Sequence, residues 1–225
     1  MVTRLAGVSH NEKPMKTPAK GRAGSARSRR QQGRSLETQE KILTAAVSVL
    51  VDQGYSGAST LQIQQKAGVS RGRLLHHYPS REKLLSAAVH HLAVERMREL
   101  SLESGIPDNP RERIRVALQI MWSNYSQPYF WASNELWNAA RTNPELRAEL
   151  RPVEQRLGQV IRTQTDNLFG PEHIAKSGYK SLRELLLTSM RGVAMTYTFD
   201  PREPSTDRHL VQWQDLAEGI LLEQH

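Results

Sequence analysis

The strongest constraint on this chain lies in residues 59–85, where residues that cap or stop helices recur at short intervals. Ser59 begins a capping-box pattern, and Gly68 permits the left-handed backbone of a tight turn. Ser70 can cap a second helix, which Pro79 then ends. Two short helices joined by a Gly-Val-Ser turn are typical of a helix-turn-helix, whose second helix enters a DNA major groove.

The second helix of this pair would present basic side chains on one side, from Arg71, Arg73, His76 and His77, with Gly72 allowing a close approach to the groove. An arginine that holds guanine O6 and N7 discriminates bases by ~1–3 kcal/mol. An arginine that clamps a phosphate adds affinity without reading sequence. Both interpretations stay open for Arg71 and Arg73. Phosphate contact is the expected role of the two histidines, because neighbouring helical residues point about 100° apart and cannot easily share a metal ion.

The positive charge of the chain is concentrated at its N-terminus. Residues 1–34 hold nine lysines and arginines against one acid, which accounts for the whole net charge of +8. This segment has almost no large apolar side chains, so we expect a disordered basic tail. It is either a flexible arm that reaches DNA, or a solubilising leader, or sequence upstream of a true start at Met15.

The remaining chain has helical periodicity without period-2 alternation, and the fold class is predicted to be all-α with about nine helices. Apolar stripes and capping residues place these helices at 38–54, 59–67, 70–78, 81–101, 110–125, 129–141, 144–169, 181–199 and 207–223. The predicted domains are the tail at 1–34, a helix-turn-helix domain at 35–85 and a C-terminal domain at 86–225.

Several classes of protein are disfavoured. No apolar run approaches the ~20 residues that cross a bilayer, so no membrane partner is expected. The chain has no cysteine, which suits a reducing cytoplasm. Metal-ligand spacing, a phosphate-binding loop and a nucleophile elbow are missing from the sequence, so we expect no metal, no cofactor and no catalytic residue.

An aromatic-rich segment, residues 121–137, is the candidate site for a small-molecule effector. Apolar cavities with a few polar groups bind such ligands, although aromatic residues at helical spacing also form ordinary core. The candidate lining residues are Met121, Trp122, Tyr125, Tyr129, Phe130, Trp131, Trp137 and Met190.

The order of features from about Thr38 to Leu85 resembles the N-terminal domain of TetR-family, or tetracycline-repressor-type, transcriptional regulators. An amphipathic helix ends in Gln-Gly-Tyr, a Ser-Thr pair and Ile63 follow, and then come Ala-Gly-Val-Ser and Leu74. An aromatic residue before Pro-Ser and the pattern basic-Glu-x-Leu-Leu complete the set. Beyond residue 85 the chain fits the family only in the number, length and order of its helices.

The resemblance implies a helix-turn-helix domain joined by a long fourth helix to a C-terminal domain for ligand binding and dimerisation. It implies a homodimer that binds a palindromic double-stranded operator. Thr60, Ser70 and Arg81 would contact this DNA in addition to the residues of the recognition helix. A bound effector would release the protein from the operator. The last two helices would form the dimer interface, with Leu182, Leu185, Leu186, Leu216, Ile220 and Leu221 as candidates. Leu75 departs from the family, because a phosphate-binding tyrosine is common at its position.

Two alternatives to a ligand-responsive repressor stay open. An enzyme could use the aromatic segment as an active site, but the sequence offers no catalytic motif. A non-specific architectural DNA-binding protein could rely on the basic tail, and would bind all duplexes equally with a steep salt dependence.

Overall fold

A computed structural model of the chain describes residues 21–103 and 105–222. Within these residues it has nine α-helices and no β-strand, which confirms the all-α prediction. The helices are α1 (Gly21–Gly57), α2 (Thr60–Ala67), α3 (Arg71–His77), α4 (Arg81–Glu103), α5 (Pro110–Ser123), α6 (Pro128–Ala140), α7 (Pro144–Ile174), α8 (Tyr179–Thr196) and α9 (Arg208–Leu221). Two single 3₁₀ turns lie at Asn124–Ser126 and Pro204–Thr206. No helix of this part of the chain is long and apolar enough to cross a bilayer.

The first helix begins earlier than predicted. It starts at Gly21, whereas Thr38 was the expected cap, and residues 21–34 are helical where we expected no regular structure. Half of those residues are arginine or glutamine, whose helix propensities lie close to that of alanine. Gly54, the predicted stop, has a φ of 67° and interrupts α1 three residues before its end. The predicted disorder of residues 1–20 lies outside the described residues.

The local structure of the helix-turn-helix follows its capping residues. The Ser59 hydroxyl accepts from the Gln62 amide at 3.2 Å, and the Gln62 side chain accepts from the Ser59 amide at 3.2 Å, so the capping box is complete. Gly68 has a φ of 65°, the left-handed conformation that the turn requires. The Ser70 hydroxyl accepts from the Arg73 amide at 3.3 Å and starts α3. These observations confirm the predicted two-helix unit.

Helices α1 to α4 enclose a core that also includes α6 and the start of α7. Its largest fully buried side chains are Ile42, Leu50, Ile63, Leu74, Leu84, Leu85, Leu136 and Leu146. Residues from Thr38 onward form one compact unit, and the described residues up to Glu37 belong to another. The predicted boundary at residue 85 therefore lies within a shared core, and the three-part division of the chain stays a prediction.

A second core joins α5, α6, the end of α7, α8 and α9. Aromatic rings occupy its centre, where the ring centroids of Trp122 and Trp213 are 5.0 Å apart. The Trp122 indole nitrogen also donates to the Pro204 carbonyl at 2.8 Å, which ties the 3₁₀ turn before α9 to α5. This core therefore sets the position of the last two helices.

We call helices α1 to α4 the head. Replacing Ile63 by alanine should lower the free energy of unfolding by about 2–5 kcal/mol, because Ile63 is fully buried among the helices of the head. Leu61→Ala, on the exposed side of the same helix, is the matched control and should change stability little. Urea denaturation followed by circular dichroism measures both. Equal effects of the two substitutions would contradict the packing of α2.

Candidate DNA-binding surface and ligand cavity

The surface of α3 separates cleanly into a buried side and an exposed side. Leu74 is 1 % exposed and anchors the helix in the core of the head. Arg71, Arg73 and His76 are exposed, and His77 is half-buried. The first one and a half turns of α3 thus present two guanidinium groups and an imidazole. The Ser70 cap stabilises the start of this helix.

Gly72 lies between the two arginines, and a Cβ added at this position would meet nothing within 4 Å. Its small size is therefore not required by packing within the subunit. A glycine here leaves the backbone of α3 open to a partner that approaches closely, although a glycine near a helix terminus can also be tolerated without such a partner.

Leu75 is an exposed residue of α3 that the sequence analysis set aside. It is 40 % exposed and lies one turn after Arg71, on the same face of the helix. An aliphatic side chain in a major groove can contact a thymine methyl group. The spacing of four residues from Arg71, with Leu74 assigned to the core, was the sequence signal that could have identified it.

Arg81 is occupied within the protein. Its Nε donates to the Ala58 carbonyl at 2.8 Å, and Nη2 donates to the Tyr55 carbonyl. The guanidinium also lies over the Tyr55 ring, 4.0 Å from its centroid. These contacts give Arg81 a structural role at the end of α1, so a phosphate contact by the same group stays a prediction. Thr60, the first residue of α2, is half-buried, and its predicted DNA contact is likewise untested.

Tyr55 connects the head to the helices that follow. Its amide donates to a Glu135 carboxylate oxygen on α6 at 3.0 Å, and its hydroxyl donates to Glu82 at 3.3 Å. The same hydroxyl accepts from the Asn143 side chain at 3.1 Å, directly before α7. Burial raises the pKa of this hydroxyl above its usual value. We call Tyr55 and these partners, together with Arg81, the Tyr55 joint.

A cavity of about 330 Å³ lies between α4, α5, α6, α7 and α8. This volume is within the range of small-molecule sites. Apolar and aromatic side chains form most of its wall, namely Ala93, Met121, Tyr125, Tyr129, Phe130, Trp137, Leu157, Ile161, Leu168 and Leu187.

Five of the eight predicted lining residues reach this cavity, and three do not. Trp122 is buried in the second core, and Met190 is fully buried there as well. Trp131 packs against Phe130, with ring centroids 5.3 Å apart, and does not line the cavity. Periodicity could not separate these positions, because core and cavity wall require the same apolar side chains.

The charged groups of the cavity come from α7 and α8, where the sequence analysis proposed only Met190. Burial raises the pKa of the Glu154 carboxyl, while the Trp137 indole and Arg191 act in the opposite direction. The Arg191 guanidinium lies 4.8 Å from the Trp137 ring centroid. A carboxyl group and a guanidinium therefore both lie close to one aromatic residue. No sequence motif around Glu154 or Arg191 could have indicated that these residues line the cavity.

Other polar groups of the wall are already paired. The Tyr125 hydroxyl donates to the Leu187 carbonyl at 2.9 Å, and burial raises its pKa to about 12. The Tyr129 hydroxyl donates to Asn124 at 2.9 Å. These bonds fix the two tyrosine side chains in the wall of the cavity.

The predicted dimer residues fall into two groups. Leu182, Leu186 and Leu221 are at most 1 % exposed and belong to the core of one subunit. Leu185 is 51 % exposed and Leu216 is 37 % exposed, so α8 and α9 retain an apolar surface. Ile220 is partly buried against the second core. Tertiary packing within the subunit therefore takes half of the proposed interface.

Among the described residues, no group of three or more histidine, cysteine, aspartate or glutamate side chains could hold a metal ion. The imidazole rings of His76 and His77 are 5.6 Å apart and nearly perpendicular. This geometry agrees with the expectation that neighbouring helical histidines do not share one ion.

Comparison with known proteins connects this geometry to a function. Residues 42–88 match the family described as "Bacterial regulatory proteins, tetR family". The matched region begins in the second half of α1 and ends in α4, so it contains the whole helix-turn-helix.

The chain is 28% identical over 175 residues to the HTH-type transcriptional regulator CymR of Pseudomonas putida, covering 76% of this chain and 84% of CymR. It is 28% identical over 133 residues to the HTH-type transcriptional repressor AcnR of Corynebacterium efficiens, covering 57% and 64% of the two chains.

Similar solved structures extend the likeness to the whole fold. A transcriptional regulator from Rhodococcus sp. Rha1 aligns with a TM-score of 0.62 and 20% identity over 82% of this chain and 95% of its own. The multidrug binding protein EbrR, complexed with ethidium, aligns with a TM-score of 0.57 and 16% identity over 82% and 98%. At this level of identity the structural likeness concerns the fold alone.

Proposed function

We propose that this chain, which belongs to the TetR family of bacterial regulatory proteins, acts as a ligand-responsive repressor. Two subunits would bind a palindromic double-stranded operator, each placing α3 in a major groove. A small molecule bound in the cavity lined by α4, α5, α6, α7 and α8 would release the DNA. The observation that carries the proposal is the pair of exposed arginines at the start of the capped helix α3.

Arg71 and Arg73 are the proposed base-reading residues, and His76 and His77 the proposed phosphate contacts. Leu75 joins this set as an apolar contact, because it is exposed on the face that also carries Arg71. The open space around Gly72 would let the backbone of α3 approach the bases. Selectivity then depends on few side chains, since phosphate contacts alone carry no sequence information.

Helix α6 is the proposed connection between the cavity and the DNA. Its residues Tyr129, Ser133 and Trp137 line the cavity. Glu135 of the same helix accepts from the Tyr55 amide, and Leu136 packs in the core of the head. A ligand that displaces Trp137 would therefore move groups that position the head. Because packed interfaces respond in discrete steps, a small shift at the cavity can change the spacing of two recognition helices.

The exposed apolar surface of α8 and α9 is the proposed dimer interface. An isologous two-fold contact uses the same patch on both subunits, and Leu185 and Leu216 supply such a patch here. A homodimer would bring two copies of α3 to two half-sites, which matches the symmetry of a palindromic operator.

Arg73→Ala should weaken binding to the operator about tenfold or more, because one bidentate base contact is worth ~1–3 kcal/mol. The operator is first obtained by selecting bound duplexes from a random pool, and affinity is then measured by fluorescence anisotropy. Arg147→Ala is the matched control, since Arg147 is an exposed arginine on α7, away from α3.

Unchanged operator affinity in the Arg73 variant would contradict the assignment of α3 as the recognition helix. Equal affinity of the unaltered protein for the selected operator and a scrambled duplex would favour the alternative, a non-specific architectural protein.

Trp137→Ala should reduce the response to the effector while leaving operator affinity in its absence nearly unchanged, because Trp137 forms part of the cavity wall. Small aromatic compounds are first screened for release of the protein from its operator, and the half-maximal concentration of an active compound is compared. Trp131→Ala, on the same helix but outside the cavity, should keep the response. A greater loss in the Trp131 variant would overturn the choice of cavity.

Leu185→Glu should convert the dimer into a monomer, because a charge placed in an apolar two-fold interface is repeated on both subunits. Sedimentation velocity measures the oligomeric state. Val51→Glu introduces the same charge at an exposed aliphatic residue of α1 and should leave the dimer intact. A dimer that persists with Glu at position 185 would move the interface away from α8.

A further inference from the structure

A second concave site lies in the groove between α4 and α7, next to the end of the recognition helix. The groove has a volume of about 370 Å³ and is separate from the proposed effector cavity, with which it shares no lining residue. Tyr78, the C-cap of α3, forms one end of it. Leu43 of α1 and Val153 of α7 contribute apolar surface to its wall. Neither the DNA contacts nor the proposed effector cavity involves this groove.

Two hydroxyl groups buried behind the wall of the groove lack hydrogen bonds. Tyr78 is 7 % exposed and Ser86 is 3 % exposed, and neither hydroxyl has a partner among the described residues. The Gln39 side chain approaches the Tyr78 hydroxyl without completing a hydrogen bond to it. Leaving a buried hydroxyl without a hydrogen bond is unfavourable, so both groups favour an acceptor from outside the chain.

Cationic and imidazole groups outnumber carboxylates around the same groove. Helix α4 contributes Lys83, His90 and His91, whereas α7 contributes Arg156 and a single acid, Glu149. The Lys83 ammonium and the Glu149 carboxylate are 3.9 Å apart, which pairs the two across the groove. The permanent excess of positive charge therefore comes from Arg156, and the two histidines add to it only when they are protonated.

The cations of the groove act on His90. Burial lowers the pKa of this imidazole, and the nearby Arg156 and His91 lower it further. A negative charge in the groove would offset that repulsion and raise the pKa of His90 again. The electrostatics and the unpaired hydroxyls thus favour the same kind of occupant, a hydrogen-bond acceptor that carries negative charge.

We propose that the groove between α4 and α7 is a second ligand site, which binds a small organic carboxylate with an apolar body. The carboxylate would pair with Arg156, and a small shift of the groove wall would let it accept from the Ser86 and Tyr78 hydroxyls, which have almost no accessible surface in this structure. Its apolar body would lie against Leu43, Val94 and Val153, which distinguishes it from a fully hydrated inorganic anion. The site adds to the effector cavity and does not depend on it.

Occupancy of this groove has a consequence for DNA binding, which rests on the proposed function. Tyr78 ends the recognition helix, and its amide donates to the Leu74 carbonyl at 2.8 Å. A ligand that engages the Tyr78 hydroxyl would therefore stiffen the end of α3 against α7. Binding to the groove itself can be measured without DNA, so failure of the two ideas is distinguishable.

Benzoate is the probe, and benzamide is its neutral counterpart of nearly the same shape. Binding to the full-length protein is followed by the imidazole proton signals of His90 and His91 in NMR titrations. Benzoate should shift these signals and raise the pKa of His90, because an anion stabilises the protonated ring. Benzamide should bind at least about tenfold more weakly, since it lacks the charge-assisted hydrogen bonds.

Arg156→Gln should weaken benzoate binding about tenfold, whereas Arg151→Gln, an exposed arginine of the same helix outside the groove, should not. Ser86→Ala should weaken it as well, without loss of helix content. Equal binding of benzoate and benzamide would overturn the proposal. Inorganic phosphate that competes as well as benzoate would also overturn it, because the apolar wall would then contribute nothing.

Discussion

The Tyr55 joint is the set of contacts on which the arrangement of the helices from Thr38 onward depends. One residue at the end of α1 receives the Arg81 guanidinium on its ring and its carbonyl, bonds Glu82 and Asn143 through its hydroxyl, and bonds Glu135 through its amide. These partners belong to α4, α6 and the residue before α7. Half-buried polar contacts of this kind are directional, so they define an orientation where apolar packing alone would allow sliding.

The position of α6 explains how a cavity and a DNA-binding surface can share one scaffold. One side of this helix contributes Leu136 to the core of the head, while Trp137, next in sequence, lines the cavity. Adjacent helical residues point about 100° apart, so a single helix serves both sides. The core around α1 to α4 consequently shares side chains with α6 and α7. The orientation of the head is part of the packing that surrounds the cavity, which is the physical basis for the proposed release of DNA.

Sequence reasoning succeeded where structure is determined by neighbours along the chain. The capping box at Ser59, the left-handed Gly68 and the Ser70 cap were all predicted, and all three are present. The resemblance to TetR-family regulators, carried by the same residues, was confirmed by the family match and by similar solved structures. The predicted start of α1 at Thr38 was wrong, because residues with favourable helix propensity extend the helix toward the N-terminus as far as Gly21. The sequence also could not predict which leucines of α8 face the core, since Leu186 is buried whereas the adjacent Leu185 is exposed.

The sequence by itself determined the all-α fold class, the helix-turn-helix and the arginines at the start of α3, because caps, turns and periodicity act over a few residues. Only the tertiary structure decided which aromatic residues line a cavity, and that Glu154 and Arg191 both lie close to Trp137. It alone revealed the groove where Tyr78 and Ser86 meet Arg156. These sites combine side chains from helices far apart in the chain, and their chemistry arises from burial and proximity, which exist only once the helices pack.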